Sequence, residues 1–167
     1  MELLKTTLHL LNPQIAVFSP PSMTNPFNDW DDRHVAQGFA WRTQSVSFAT
    51  LEEYGALELH VVLARSYEPD TKATRIIRVP FRVEDNVVAI SNLVSDATVS
   101  IPNGNYELIY ETGYQSQQTV DQARQTLWCR LIFLPTKRRC IAQIIRADSK
   151  LSPGPSLLME ARPAASG

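Results

Sequence analysis

The sequence is poor in the side chains that most often carry chemistry, with three histidines and two cysteines among 167 residues. Cys129 and Cys140 each lie in a strand-like apolar run, without Cys-x-x-Cys spacing or a neighbouring histidine, so thiolate metal sites and redox pairs find no support. Two reduced, core-packed thiols are expected. If the two runs pair about a turn near Lys137, Cys129 faces the neighbourhood of Ile145 and not Cys140, which argues against a disulfide. Long apolar runs are also missing. No uncharged stretch approaches the roughly 20 residues that span a bilayer. The opening Met1-Glu2-Leu3-Leu4-Lys5 is acidic at once and soon broken by Thr6, Thr7 and His9, unlike a signal peptide. A cytoplasmic chain with no membrane partner is the expectation. An excess of one charge is lacking as well: the formal net charge is −1, so no global field draws the chain to nucleic acid. Gly-x-Ser-x-Gly, Walker and Gly-x-Gly-x-x-Gly motifs do not occur, so neither catalytic residues nor a cofactor are indicated.

What is present is enough apolar material for one core, 44% of residues, arranged with a period of two. Strand signals run through residues 3–10, 14–18, 44–51, 57–63, 77–83, 87–91, 98–101, 106–112, 127–134 and 140–147. Pro80 places its strand at a sheet edge or a bulge. That edge would permit a dimer, which its arginines and the proline discourage, so monomer and dimer both stay open. Asn103-Gly104 predicts a tight hairpin between residues 98–101 and 106–112, and 127–134 with 140–147 predicts a second about the basic tip Lys137-Arg138-Arg139. Residues 113–125 read as a long loop or a short helix around 120–124. The fold class expected is all-β: an antiparallel β-sandwich, or flattened barrel, of about 8–9 strands with one short helix near residues 31–37. Residues 1–147 would form this one domain, followed by a Pro/Ala-rich, poorly ordered tail over 148–167, in which residues 157–159 could dock.

The short helix carries the candidate site. Asp31 or Asp32 can cap its N-terminus, and Gly38 can take the left-handed stop. The charge distribution points to the same half of the chain: residues 1–70 hold four Lys/Arg against nine Asp/Glu. Asp29, Asp31 and Asp32 surround Trp30, with His34 one turn on. An exposed aromatic ringed by carboxylates is the composition of a patch that docks on a basic, phosphate-binding cleft. The plainer alternative packs Trp30 under the loop and spends the aspartates on the helix cap. A metal site at His34 is disfavoured, because helical metal ligands recur one turn apart on one face and one histidine beside three carboxylates does not reproduce that. Acid–base catalysis around His34 would require a substrate that nothing here identifies. A carbohydrate- or small-ligand-binding sandwich, with Trp41, Tyr54 or Tyr114 as stacking platform, is the rival from another class. Lys137, Arg138 and Arg139, without interleaved aromatics, are a weak nucleic-acid signal and read as a solvated tip that blocks edge association, with no direct nucleic-acid contact expected.

Five short motifs occur in a fixed order: Asp29-Trp30-Asp31-Asp32, Gln37-Gly38-Phe39-Ala40-Trp41, Ser45-Val46-Ser47-Phe48, Val79-Pro80-Phe81-x-Val83, and Ile101-Pro102-x-Gly104-x-Tyr106-x-Leu108. In this order and spacing the chain resembles the ComJ-type competence proteins. The resemblance implies a small cytosolic inhibitor of a DNA-entry nuclease, a protein partner and no catalysis by this chain. The partner-binding residues expected are Asp29, Trp30, Asp31, Asp32 and His34, with no catalytic residue and no metal.

Overall fold

The computed structural model describes residues 1–115 and 126–165; the alternatives of a loop or a helix around 120–124 fall outside them. Alternation gives each strand one dry face, and two sheets hide these faces against each other. Among the described residues the elements are β1 (Glu2–Leu10), β2 (Gln14–Phe18), α1 (Asp32–Gln37), β3 (Phe39–Arg42), β4 (Ser45–Ala49), β5 (Gly55–Leu63), β6 (Arg75–Val83), β7 (Val87–Ser91), β8 (Asp96–Ser100), β9 (Gly104–Tyr114), β10 (Leu127–Pro135) and β11 (Gln143–Arg146). One sheet has the order β1-β5-β10-β9-β6-β11 and the other β3-β4-β2-β7-β8. Leu57, Leu59 and Val61 of β5, with Cys129, Leu131 and Phe133 of β10, join Val17, Val46, Phe48 and Ile90 of the second sheet in the core. Phe48 stacks on Tyr110 of β9 at 4.6 Å. The expected all-β sandwich with one short helix is therefore the fold.

Several local expectations are corrected. Among the described residues there are eleven strands, β3 having gone unread, and β10 lies parallel to β5, so the sandwich is not purely antiparallel. Asn103-Gly104 makes no hairpin: β8 and β9 belong to different sheets, and Gly104 (φ 148°) turns the corner between them. A corner needs the same backbone freedom as a tight turn, so the signal was real and its interpretation too narrow. Asn103 and Asn86 lock that corner, the backbone N–H of each donating to the side-chain oxygen of the other at 2.9 and 2.6 Å. The final hairpin is likewise absent, because β10 pairs with β9 and β5 whereas β11 pairs with β6. β11 covers β6 only at Ile76, Ile77 and Arg78, which leaves the Pro80 end as the edge that proline prefers. Both cysteines are free thiols, Cys129 buried and Cys140 half-buried.

The C-terminal segment departs most from its composition. Leu151 is buried in the main core, and Leu157 and Met159 pack against it. Asp148 makes a two-pronged ion pair with the buried Arg75, at 2.6 Å to Nε and 2.9 Å to Nη2. Prolines made the segment look unstructured because they remove ladder donors, yet a strap held through carbonyls and apolar side chains needs few donors.

Candidate partner-binding site

The site is built where the strap crosses the helix. Asn28, 4% exposed, fixes the approach: its amide donates to the carbonyls of Ala40 (3.1 Å) and Ser45 (3.0 Å), and its oxygen accepts from Arg42 Nε at 2.6 Å. Asp31 then caps α1, Oδ1 accepting the backbone N–H groups of Arg33 (2.9 Å) and His34 (3.1 Å). Gly38 closes the helix at φ 85° and donates to the His34 carbonyl at 2.9 Å. The strap lies against this turn. Asp29 N–H donates to Arg162 O at 2.9 Å, Ala164 N–H to Phe27 O at 2.8 Å, and the Gln37 amide exchanges two hydrogen bonds with the Leu158 backbone at 2.8 and 2.9 Å.

The five anticipated residues are brought together, but not on equal terms. Asp29, Asp31 and Asp32 are exposed, and among the described residues the carboxylates of Asp29 and Asp32 have no hydrogen-bond or ion-pair partner. The His34 backbone hydrogen bond, more than the nearby charges, holds the Asp31 carboxyl below its ordinary value, against the opposing effect of desolvation. Trp30 is half-buried: its indole N–H donates to Gln14 Oε1 at 2.9 Å, and its ring stands edge-on to His34 at 6.3 Å. His34 itself is buried. Its Nδ1 accepts the Asp31 backbone N–H at 3.0 Å and its Nε2–H donates to Glu160 O at 2.8 Å, so neither nitrogen is left for proton transfer or for a partner. It positions the patch from beneath. A hollow of about 430 Å³ opens here, and Arg33, Glu160 and Arg162 line it with Asp29 and Asp31, so the surface carries both signs of charge.

Two of these contributors, Glu160 and Arg162, were invisible to sequence reasoning, because they arrive from far down the chain in a segment read as disordered. The only available signal was the apolar run at residues 157–159. The three candidate stacking residues are not assembled: Trp41 donates its indole N–H to Pro80 O at 2.7 Å and lines one groove, while Tyr54 borders another with Glu53 and Tyr114 hydrogen-bonds Glu52 at 2.7 Å. No group of three or more His, Cys, Asp or Glu side chains among the described residues could hold a metal ion, and no helix among them is long and apolar enough to cross a membrane.

Comparison with known proteins adds three observations. The profile of the competence protein J (ComJ) family matches residues 7–134. A crystal structure of ComJ from Bacillus subtilis, described as the inhibitor of the DNA-degrading activity of NucA, is similar over 80% of this chain and 98% of that one, at 20% identity and a TM-score of 0.61. A structure named crocagin biosynthetic gene J is similar over 83% and 98%, at 14% identity and a TM-score of 0.50. At such identities the likeness to these two is one of fold. No curated protein sequence matches.

Proposed function

This chain belongs to the ComJ family, and on that premise we propose that it is a non-catalytic, cytoplasmic binding protein, a monomer or dimer, that inhibits a DNA nuclease. The family's Bacillus subtilis structure is that of an inhibitor of NucA, which gives the partner class. The mechanism is occlusion: Asp29, Asp31 and Asp32 meet the basic residues that would otherwise hold DNA phosphates, and the exposed part of Trp30 seals the contact. The observation that carries this reading is that two of the three carboxylates are exposed and, among the described residues, unpartnered, while the turn presenting them is pinned by Asn28, His34 and the strap. Such carboxylates keep their charge for a partner and lose little conformational freedom on binding. Opposite charge then speeds encounter, an effect that fades as the Debye length shrinks from about 10 Å at 0.1 M salt to about 3 Å at 1 M.

The test is inhibition of a NucA-like nuclease from the same organism, titrated at low and high salt. With Asp29→Asn, Asp31→Asn and Asp32→Asn combined, inhibition at low salt should weaken about tenfold or more and its salt dependence should flatten. Asparagine still caps α1, so the fold survives. Undiminished inhibition would move the interface elsewhere on the molecule; no inhibition by the unaltered chain would remove the nuclease reading.

A further inference from the structure

The groove at the uncovered end of β6 has an electrostatic character opposite to that of the aspartate turn. β9 pairs with β6 along its whole length, but on the opposite side, among the described residues, β11 stops at Arg78, and the second sheet meets the backbone there instead: the Trp41 indole donates to Pro80 O at 2.7 Å, and Arg82 N–H donates to Thr43 O at 3.0 Å. The edge is therefore already hydrogen-bonded and closed to an added strand. Beside it lies a groove of about 820 Å³, lined by the 136–142 segment together with Trp41 and Met159. Ile141, 75% exposed, stands on its rim. Lys137, Arg138 and Arg139 are all exposed there, and among the described residues none of their side chains has an ion-pair or hydrogen-bond partner. Arg82 adds a fourth cation, shared with Glu84 at 3.4 Å. Asp85 lines an adjoining hollow with Arg82 and Glu84, and Glu107 lies close enough to help burial push the Cys140 thiol up to about 11, which keeps that thiol protonated and unreactive.

We infer that this groove is a binding surface for an acidic polypeptide segment, whose carboxylates pair with Lys137, Arg138 and Arg139 while its apolar side chains rest on Trp41, Met159 and Ile141. Three adjacent unpaired cations repel one another in the free chain, and an anionic ligand relieves that repulsion. A turn that needed only solvation could be polar without being of one sign. Nucleic acid fits less well. The basic stretch is short, and past Met159 the strap leads to Glu160 and a hollow of mixed charge, so no continuous basic track follows a strand of phosphates out of the groove. A polypeptide can place its acids in the groove alone.

The experiment uses the full chain and two fluorescein-labelled probes, a short peptide of alternating Glu and Ala and a single-stranded thymidine oligonucleotide of equal charge, read by anisotropy. The peptide should bind saturably, more weakly as salt rises, and about tenfold more weakly when Lys137→Gln, Arg138→Gln and Arg139→Gln are combined. The three aspartate substitutions described above should leave peptide binding intact, so this result stands apart from the nuclease test. Shift mapping on the unaltered chain should move the Trp41 indole and the amides of residues 137–142 and needs no variant. Absence of saturable peptide binding, equal binding by the glutamine variant, tighter binding of the oligonucleotide, or shifts confined to other surfaces would each overturn the inference.

Discussion

Asp31 and His34 cap each other: Asp31 Oδ1 accepts the backbone N–H of His34 at 3.1 Å, and His34 Nδ1 accepts the backbone N–H of Asp31 at 3.0 Å. The exchange has the logic of a capping box, with imidazole in the place usually held by glutamate or glutamine. It commits the ring to the tautomer that keeps its proton on Nε2, which is aimed at Glu160 O. One side chain thus ties the helix start to the C-terminal strap.

His34→Ala removes both links together. We expect a loss of about 1–3 kcal/mol in unfolding free energy, the cost of an Asp31 N–H left without its acceptor and a partly buried Glu160 carbonyl left without its donor. Urea titration measures it. Limited proteolysis should cut the variant faster between residues 150 and 164, the stretch this ring helps hold.

Arg75 is 1% exposed and relies on Asp148 for charge compensation. Removing one member of such a pair strands the other, so Asp148→Ala should cost about 3 kcal/mol or more, whereas replacing both by apolar residues should cost less. The pair also shapes the acid limb of the stability curve. Burial alone would raise the Asp148 carboxyl, but the Arg75 hydrogen bonds and charge outweigh it and leave it lowered. A lowered carboxyl contributes stability above its unfolded value, about 3.9, and loses it as pH falls through the folded value. Unfolding midpoints followed from pH 6 down to about pH 2 should therefore fall less steeply in Asp148→Asn than in the unaltered chain.

Gly38 has no room for a methyl group. A Cβ there would lie 2.9 Å from Leu151 Cδ2 and 3.3 Å from Ile77 Cδ1, at a φ of +85° that side chains disfavour. Gly38→Ala should destabilise by about 1–2 kcal/mol and displace Leu151, visible as a lower melting temperature with shifts in the Leu151 methyl resonances.

Trp30→Ala addresses binding. A half-buried indole flanked by carboxylates has the profile of an interface anchor, and truncation should weaken nuclease inhibition about tenfold or more. Trp30→Phe keeps the ring surface and loses only the bond to Gln14, so it should retain most of the inhibition. Equal inhibition by all three proteins would place the tryptophan outside the interface.

Tyr67 tests the outer face of the larger sheet. Its hydroxyl donates to Glu111 at 2.6 Å, and Glu111, fully buried, also accepts from the Asp70 backbone N–H at 2.9 Å and from Arg130 at 3.4 Å. Tyr67→Phe should cost about 1–2 kcal/mol in unfolding free energy, because the carboxylate loses a donor that water cannot readily replace.

Whatever depends on near neighbours was legible along the chain. Alternation set the strands of β2, β5 and β7 nearly to the residue, and the Asp31 cap and Gly38 stop delimited α1, because capping, φ and pleat are settled within a few positions. Which strands pair, and what the site rests on, came from long-range packing. Pro102-Asn103-Gly104 announces a turn whether it closes a hairpin or crosses between sheets, and apolar alternation around residues 140–147 cannot say that its partner is β6 and not β10. The site shows the same division: the aspartates were legible together because they adjoin, whereas the support beneath them joins His34 to Glu160 across 126 positions. Contacts at that separation are selected by the packing of the whole core, where each apolar face buries against whichever surface fits, and no local pattern encodes that choice.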